Sequence, residues 1–493
     1  MTDKTPQTAV QRDPSSEGWL VMLYLAGDNN LTEEMVLSLQ DIRSEGTPTG
    51  DRIVAQLDPS AVGVFSTRYD FGALSGGTTL EDFKVPDFEG GEQNTGNPDT
   101  LVDFAKWALK LYGKNRRLLL ILSGHGSGTT EDFLLKDENA VDALSIPELG
   151  EALAAIVKVA KRPIDILGFD ACFMSMGEVT HALQDKVGIV IGAEGEEPAF
   201  GWPFREVLKQ AKAGRTKFGG RPLDAETLAA LIVRCYVTHY AAFDETAGRS
   251  ADLAALRVAG VANVTKRFRR LCTALLKKDV DHEQVLLAHW YAQTYKSDQF
   301  VDLRDLCEQL RKRLASNKAV VAAAGQVIDA VKACLILGGC SGHAYQFSHG
   351  LSVYFPWAFT SPAYDQMPFA KETQWAKFLD RHLTATRREA RLGMRRLGRP
   401  ARRSSTTLTE RPADRPLATL LCHRGVPPSD LPRELPFFRR RSKTSPPKSR
   451  YTANSRYSAN TRYSANTRFT SDRERAFKNL PLSIGVKFEP ESS

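Results

Sequence analysis

The stretch Arg117-Leu-Leu-Leu-Ile-Leu-Ser-Gly-His125-Gly-Ser-Gly joins an apolar run of strand length to a histidine flanked by glycines. A second stretch of the same design, Pro163-Ile-Asp-Ile-Leu-Gly-Phe-Asp170-Ala-Cys172, ends in a cysteine. Apolar strands that alternate with helices are typical of a mainly parallel sheet covered on both faces. The helical pattern of Ile146–Ala160 lies between the two stretches. We therefore predict two parallel strands joined by a crossover helix, in an α/β/α sandwich.

The same alternation extends outward, from Trp19 to about Gly192. The predicted strands are Trp19–Ala26, Arg52–Leu57, Val64–Asp70, Leu118–Leu122, Ile164–Phe169 and Val187–Ile191. The predicted helices are Leu31–Arg43, Pro98–Tyr112, Ile146–Ala160 and Met174–Gln184. Pro98 after Asn97 favours a helix start at that point, because proline is tolerated in the first turn.

The second half of the chain is predicted to be mainly helical. Its predicted helices are Leu223–Tyr240, Ala251–Leu276, Glu283–Tyr295, Val301–Ala315 and Lys318–Cys334. A β-type run, Leu351–Phe355, returns one strand to a sheet. The predicted organisation is a flexible leader (1–17), an α/β domain (18–202), a mainly helical second domain (203–383) and a disordered basic tail (384–493).

The composition is that of a soluble globular protein, with 42% hydrophobic and 25% charged residues. No apolar run reaches the ~20 residues that span a bilayer, and the first 18 residues lack the apolar segment of a secretory signal. We therefore predict a cytoplasmic protein without a membrane partner. The 7 cysteines form no CxxC pair, which indicates neither a zinc site nor a disulfide framework.

The tail carries most of the positive charge, with 25 basic and 9 acidic residues from position 384 onward, so the preceding body is acidic. It contains hexads such as Arg456-Tyr-Ser-Ala-Asn-Thr and has too little aliphatic surface to fold. Three interpretations stay open. The tail is an inert extension; or it binds nucleic acid through Arg and Tyr, the only route by which we expect such binding; or its arginines are substrate or pseudosubstrate for the protein's own site.

His125 and Cys172 each follow the carboxyl end of a buried strand, the edge where open parallel sheets place their chemistry. A thiol needs a base to become a strong nucleophile, and a histidine near neutral pH can supply it. The amides of Gly126 and Cys172 would then form an oxyanion hole. Taken singly, a buried core thiol and a glycine-rich turn are the better explanations. Together, the spacing alone leaves the two interpretations evenly balanced.

The sequence resembles the clostripain family of cysteine peptidases, relatives of caspases, gingipains and legumains, from about residue 18 to residue 380. The matching stretches are Leu20-Val-Met-Leu-Tyr-Leu-Ala-Gly-Asp28-Asn-Asn-Leu, Ser123-Gly-His125-Gly-Ser-Gly, Asp170-Ala-Cys172-Phe-Met-Ser-Met-Gly-Glu178, Gly192-Ala-Glu194 through Gly201-Trp-Pro, Ser250-Ala-Asp252-Leu, Phe300-Val-Asp302-Leu and Gly350-Leu-Ser-Val-Tyr-Phe-Pro356-Trp. The resemblance implies a caspase-like sheet, a His125/Cys172 dyad and cleavage after Arg or Lys.

A pocket for basic side chains needs negative charge, and Asp170 matches the family position associated with it; the alternative is that Asp170 caps the next helix. Glu194, Glu196 and Glu197 are further candidates for substrate binding, because their loop should border the same crevice. Asp28 is expected to cap the first helix, and the alternative is that it lines the site. No metal is predicted to be required. Because family members respond to calcium, the loop acids are named as candidate ligands, against a solvated loop as the alternative. They are Asp137, Glu138 and Asp142.

Related enzymes are matured by a cut after a basic residue in a comparable loop, so we predict that cleavage at or near Lys136 activates the chain, with an activating protease as the partner. The resulting prediction is a zymogen that acts in an intracellular proteolytic cascade. The competing hypotheses are a non-catalytic caspase-fold interaction protein and a nucleic-acid-associated protein.

Overall fold

A computed structural model describes residues 18–397, except 62, 73–76, 89, 130–133, 243–248, 296–298 and 362–363, together with residues 487–489. Two compact units are present: Met1–Thr386 with Ser483–Ser493, and Arg387–Leu482. Of the second unit, only 387–397 lie within the described residues, as the end of a helix. The predicted leader and the hexad repeats lie outside the described residues.

The first unit contains one large sheet and two small ones. The large sheet holds β1 (Trp19–Gly27), β2 (Arg52–Pro59), β3 (Thr67–Asp70), β4 (Arg117–Ser123), β7 (Ile164–Asp170), β8 (Val187–Gly192), β9 (Ala251–Arg257), β12 (Leu335–Ser341) and β14 (Lys487–Glu489). The small sheets hold β5 (Leu134–Asp137) with β6 (Asp142–Leu144), and β10 (Thr294–Tyr295) with β11 (Phe300–Asp302) and β13 (Ser352–Tyr354).

The large sheet has the strand order β14-β12-β9-β8-β7-β4-β1-β2-β3. Its centre, from β8 to β2, is parallel, while β3, β9, β12 and β14 run antiparallel to their neighbours. The central strands are buried on both faces, as their continuous apolar sequences require. The predicted mainly parallel α/β sheet is thus confirmed.

Helices cover both faces of this sheet. The described α-helices of the chain are α1 (Thr32–Glu45), α2 (Pro98–Tyr112), α3 (Ile146–Ala160), α4 (Gly177–Ala182), α5 (Phe204–Lys217), α6 (Ala225–Ala242), α7 (Val258–Leu275), α8 (His282–Tyr291), α9 (Leu303–Arg313), α10 (Lys318–Cys334), α11 (Pro368–Thr373) and α12 (Trp375–Leu397). Alternate residues of β1 enter two separate cores: Leu20 and Met22 face α2 and α3, while Leu23 and Leu25 face α1, α5 and α6. None of the described helices is long and apolar enough to cross a membrane.

Local sequence explains where the crossover helices begin. Asn97 accepts a hydrogen bond from the amide of Asp99, and Pro98 occupies the first turn of α2, as predicted. Ser145 and Glu148 form a reciprocal capping box at the start of α3. Both helices end where expected, at Tyr112 and Ala160. Helix α3 thus has defined ends, and it connects β4 to its parallel neighbour β7.

One predicted helix was wrong at its start. Residues Ala251–Arg257, predicted as the first turns of a helix, form strand β9, and α7 begins only at Val258. The seven residues of β9 are almost entirely buried between β8 and β12, and the backbone of Ala254–Leu256 is paired with both neighbours. The strand β12, Leu335–Ser341, was not predicted either. The region predicted as mainly helical thus contributes two strands to the same sheet.

Two parts of the predicted tail have regular secondary structure within the described residues. Helix α12 continues to Leu397. Near the other end, Lys487–Glu489 pairs antiparallel with Gly338–Cys340 and becomes the edge strand of the large sheet. Phe488 lies over Gly339, where a β-carbon would come within 2.8 Å of its ring. The absence of a side chain at Gly339 therefore makes room for the last strand.

Candidate active site

Strands β4 and β7 are neighbours, and their pairing brings two loops together. The parallel register ends with Ser123 opposite Asp170, so His125 and Cys172 each lie two residues beyond a matched pair. The amide of Gly124 donates to the carbonyl of Asp170 at 3.1 Å. A β-carbon on Gly126 would lie 2.5 Å from the carbonyl oxygen of Cys172. The two loops are therefore in contact, and only glycine fits at position 126.

His125 is half-buried and its ring is oriented by Asn30, whose Oδ1 lies 2.8 Å from Nε2. Because an amide oxygen only accepts, this contact places the ring proton on Nε2 and leaves the lone pair on Nδ1. Burial, and next the charge of Lys136, lower the pKa of His125. The imidazole is thus neutral at pH 7 and can take up a proton.

Cys172 differs from the other described cysteines, since it is half-buried and they are buried. Its Sγ accepts a hydrogen bond from the amide of Glu197 at 3.3 Å. Burial raises the pKa of Cys172 to about 12, and the charges of Glu197, Glu196 and Asp170 act in the same direction. The sulfur is therefore a neutral thiol at pH 7, and a base must remove its proton before it can attack.

The backbone after the thiol is strained. Phe173 has a φ of 62°, a conformation that a bulky residue rarely adopts. Its amide donates to the carbonyl of Gly195 at 3.0 Å, and its ring packs edge-on against Phe300 at 5.6 Å. Neither the Gly126 nor the Cys172 amide has an acceptor among the residues the structure describes. Two free N–H donors at one crevice can stabilise an oxyanion.

A second feature of the crevice is a pair of carboxyl groups beside the thiol. Asp170 accepts a hydrogen bond from Ser123 Oγ at 2.8 Å, and burial raises its pKa to about 6. Neither carboxyl oxygen of Glu197 nor Nε1 of Trp202 has a hydrogen bond of good geometry in the described part of the chain, although the Ala171 amide and the Trp202 side chain lie close enough to lower the pKa of Glu197. Burial, followed by the charge of Asp170, raises the pKa of Glu197 well above its usual value. Burial therefore disfavours a second negative charge beside Asp170.

The model of the clostripain family (Peptidase_C11) matches residues 23–382. The chain belongs to the clostripain family of cysteine peptidases. Clostripain of Hathewaya histolytica is 20% identical over 406 residues, which cover 68% of this chain and 74% of the relative.

Solved structures show the same fold. A secreted C11 cysteine protease from Bacteroides thetaiotaomicron, in complex with an irreversible peptide inhibitor, has a TM-score of 0.54 at 18% identity. An inactive zymogen C11 protease from Parabacteroides distasonis has a TM-score of 0.53 at 17% identity. Each comparison covers 73% of this chain and 99% of the other.

Within this clostripain-family fold, the predicted substrate-binding glutamates do not lie together. Glu194 is fully buried, and its Oε2 accepts hydrogen bonds from the amides of His349 and Gly350. Asp252 in turn accepts from the amides of Glu194 and Gly195. Glu194 thus holds the loop from within the core, where a substrate does not reach it, whereas Glu196 is exposed at the rim and Glu197 lies at the thiol.

Lys136 lies in β5 with an exposed side chain, 3.3 Å from Glu138. Its carbonyl accepts a hydrogen bond from Asn29 Nδ2 at 2.9 Å, and the following residue, Asp137, is fully buried. The peptide bond after Lys136 is thus held inside the β5–β6 hairpin. A protease could reach it only after this hairpin opens.

The three acidic residues predicted as candidate calcium ligands have different partners in the structure and do not face one another. Glu138 faces Lys136, and Asp142 accepts from Asn94 Nδ2 at 2.7 Å, while Asp137 points into the protein. Asp28 does not cap α1 as predicted. The cap residue is Leu31, without a side-chain bond, and Asp28 Oδ2 accepts from the Asn139 amide at 2.7 Å.

The sequence reasoning missed two residues of the crevice, Asn30 and Trp202. Asn30 lies 95 positions from His125 in the chain. The stretch that contains it, with Asp28 and Asn29, is polar and follows a buried strand at the same sheet edge, and this was the available signal.

Replacing Asn30 should change the orientation and the pKa of His125 while the histidine itself stays in place. We expect Asn30→Ala to lower kcat/KM by about 10- to 100-fold, the loss of one hydrogen bond to a ring that becomes charged. Asn30→Asp keeps an acceptor and adds a negative charge, so activity should persist and the acid limb of the pH profile should move to higher pH. Steady-state kinetics from pH 5 to 8 measure both effects. An unchanged acid limb in both variants would show that Asn30 does not act through His125.

Proposed function

We propose that this protein is an endopeptidase that cleaves after Arg or Lys, with Cys172 as nucleophile and His125 as base. The observation that carries the assignment is the contact between the two strand-end loops, in which Gly126 lies against the backbone of Cys172. It joins a half-buried thiol, a neutral imidazole and two free amides at one edge of the sheet.

The proposed reaction follows from these groups. Nδ1 of His125 accepts the thiol proton, and the sulfur attacks the carbonyl carbon of the substrate. The N–H groups of Gly126 and Cys172 donate to the oxyanion of the tetrahedral intermediate. As the carbon–nitrogen bond breaks, the imidazolium returns the proton to the leaving amine, which leaves a thioester on Cys172. Water, deprotonated by His125, then hydrolyses the thioester.

The preference for Arg or Lys rests on the carboxyl groups below the thiol. Buried polar oxygens without a partner are costly, so the oxygens of Glu197 favour a ligand that donates hydrogen bonds. A guanidinium or ammonium group supplies such donors together with a positive charge. Binding of this positive charge would favour ionisation of Glu197. Asp170 and Glu197 would then both attract the basic side chain of the substrate. Glu196, exposed on the rim, would attract a basic substrate only weakly.

Removing the nucleophile tests the assignment. We expect Cys172→Ala and His125→Ala each to lower kcat/KM on Arg- and Lys-terminated fluorogenic peptides by about 10⁴-fold or more, because the attacking group or its base is lost. Cys235→Ala, which truncates a buried thiol on α6, is the control and should stay within about threefold. Full activity of Cys172→Ala would refute the proposal.

Replacing the pocket acids should weaken binding of basic substrates. We expect Asp170→Asn and Glu197→Gln each to lower kcat/KM for Arg substrates by at least about 30-fold, whereas Glu196→Gln should change it by less than about threefold. Because Asp170 has a pKa of about 6, its charge is present above that pH and lost below it, so KM for Arg substrates should rise as the pH falls through 6. Equal effects of all three substitutions would argue against this pocket.

Activation by cleavage after Lys136 and action in a cytoplasmic proteolytic cascade are further parts of the proposal. The exposed side chain of Lys136 and its charge near His125 support the first part, as does the zymogen state of the Parabacteroides distasonis relative. We expect wild-type protein to yield two fragments on SDS gels, and Lys136→Ala to stay a single chain with lower activity. A fully active intact chain, identified by mass spectrometry, would rule out this activation step.

A further inference from the structure

The loop that follows β12, residues 342–350, lies at the same sheet edge as Cys172. Strand β8 is parallel to β7, β9 runs antiparallel to β8, and β12 runs antiparallel to β9, so β12 ends at the edge where β7 and β8 end. Two amides at the far end of the loop donate to Oε2 of Glu194, the second residue after β8. The 342–350 loop is therefore held beside the 194–197 loop, which borders the crevice.

Tyr345 packs this loop against the residues beside the thiol. Its hydroxyl oxygen accepts a hydrogen bond from the amide of Glu196 at 3.1 Å, and the next amide, of Glu197, donates to Sγ of Cys172 at 3.3 Å. The ring also lies close to Gly195, where a β-carbon would come within 2.5 Å of two ring atoms, so the absence of a side chain permits the contact. The half-buried ring is thus fixed next to the thiol.

Two residues further along, Phe347 presents an apolar ring to solvent, with 52% of the residue exposed. Gln293 holds the backbone here, because its Oε1 accepts from the Phe347 amide at 3.3 Å and its Nε2 donates to the Ala344 carbonyl at 2.6 Å. A single exposed apolar side chain is ordinary on a protein surface. This one is different, because it lies on a fixed backbone beside Tyr345, at the rim of a crevice that holds a thiol.

The position of His125 indicates which half of a substrate these rings face, and this step rests on the proposed function. The strand order places β4, which His125 follows, on one side of β7, and places β8, β9 and β12 on the other. In the proposed reaction the imidazole gives a proton to the leaving amine, so the leaving half of the substrate lies on the β4 side. The acyl half therefore extends past β8, toward Tyr345 and Phe347.

We propose that Tyr345 and Phe347 form an apolar subsite for one of the two substrate residues that precede the cleaved Arg or Lys. A leucine- or phenylalanine-sized side chain would bury apolar area against the two aromatic rings, which is favourable. An acidic side chain would lose hydration there without gaining a partner, and it would meet Glu196, which is exposed on the same rim. The preferred substrates are therefore chains with a bulky apolar residue shortly before the basic one.

A series of acetylated tripeptides with a fluorogenic coumarin amide after the arginine tests the preference in the full chain. The sequences are Ala-Leu-Arg, Leu-Ala-Arg, Ala-Ala-Arg and Ala-Asp-Arg. We expect the better of the two leucine peptides to exceed Ala-Ala-Arg in kcat/KM by about tenfold, mainly through a lower KM, because a few buried methylenes are worth about that factor. Ala-Asp-Arg should be cleaved least well. Equal kcat/KM for all four peptides would overturn the subsite and leave cleavage after Arg standing.

Phe347→Ala is the decisive variant, because truncating an exposed side chain opens no cavity in the core. We expect it to lower kcat/KM for the better leucine peptide by about fivefold or more and to leave Ala-Ala-Arg within about twofold.

Phe218→Ala is the matched control. Phe218 is also 52% exposed, but it follows the last turn of α5, near Leu223, whose carbonyl accepts from Trp19 and Arg117 at the opposite edge of the sheet. This variant should cleave all four peptides as the parent does. Equal losses on the leucine and alanine peptides in Phe347→Ala, or the same selective loss in the control, would contradict the subsite.

Binding without turnover separates this subsite from the proposed function. The full chain carrying Cys172→Ala is titrated calorimetrically with the same acetylated tripeptides as free acids. We expect the better leucine peptide to bind about fivefold or more tightly than Ala-Ala-Arg, and Phe347→Ala to remove the difference. Such a preference in a protein that shows no peptidase activity with Cys172 intact would leave the subsite standing and refute the proposed function. Equal affinities, or no binding of any peptide, would overturn the subsite.

Discussion

The parallel pairing of β4 and β7 is the constraint on which the rest of this structure depends. Because both strands are buried on both faces, a change in their register would require the helices on both sides to repack. The register that results sets Ser123 opposite Asp170, and the loops that follow are short enough to stay in contact. Helices α2 and α3 begin at well-defined caps and therefore fix the strands from the same face.

Several acidic side chains are buried around the crevice. Glu194, Asp252 and Asp302 lie in the core behind the 194–197 loop, and Asp170 with Glu197 lies in front of it. The carboxyl groups of the first set accept hydrogen bonds from backbone amides and hold the loop, although Oε1 of Glu194 has no partner among the described residues. In the second set, Asp170 accepts a hydrogen bond from Ser123, and Glu197 lies beside the thiol.

The central part of the fold could be predicted from the sequence because the apolar runs and the helix-start residues there both indicated alternating strands and helices. Apolar runs marked β1, β4, β7 and β8, and a proline and an asparagine marked the start of α2. The strand β9 could not be predicted, because Ala251–Arg257 runs into α7 without a glycine or proline and contains helix-favouring alanines and leucines. Only its place between β8 and β12 makes it a strand.

The sequence could predict those residues of the candidate site that directly follow the ends of the parallel strands. His125, Gly126 and Cys172 follow from the rule that parallel strands present their carboxyl ends at one edge. The contact of Asn30 with His125 and the separation of Glu194 from Glu197 depend on how loops fold back, which no local pattern encodes.

The three-residue strand β14 has a consequence for the long segment before it. The chain leaves the body through α12 and comes back to lie against β12. A cut between these two segments would leave β14 held to the sheet only by its pairing with β12 and by the packing of Phe488 against Gly339. Loss of the final residues would uncover the β12 edge, whose unpaired backbone groups invite a foreign strand or a second copy of the chain.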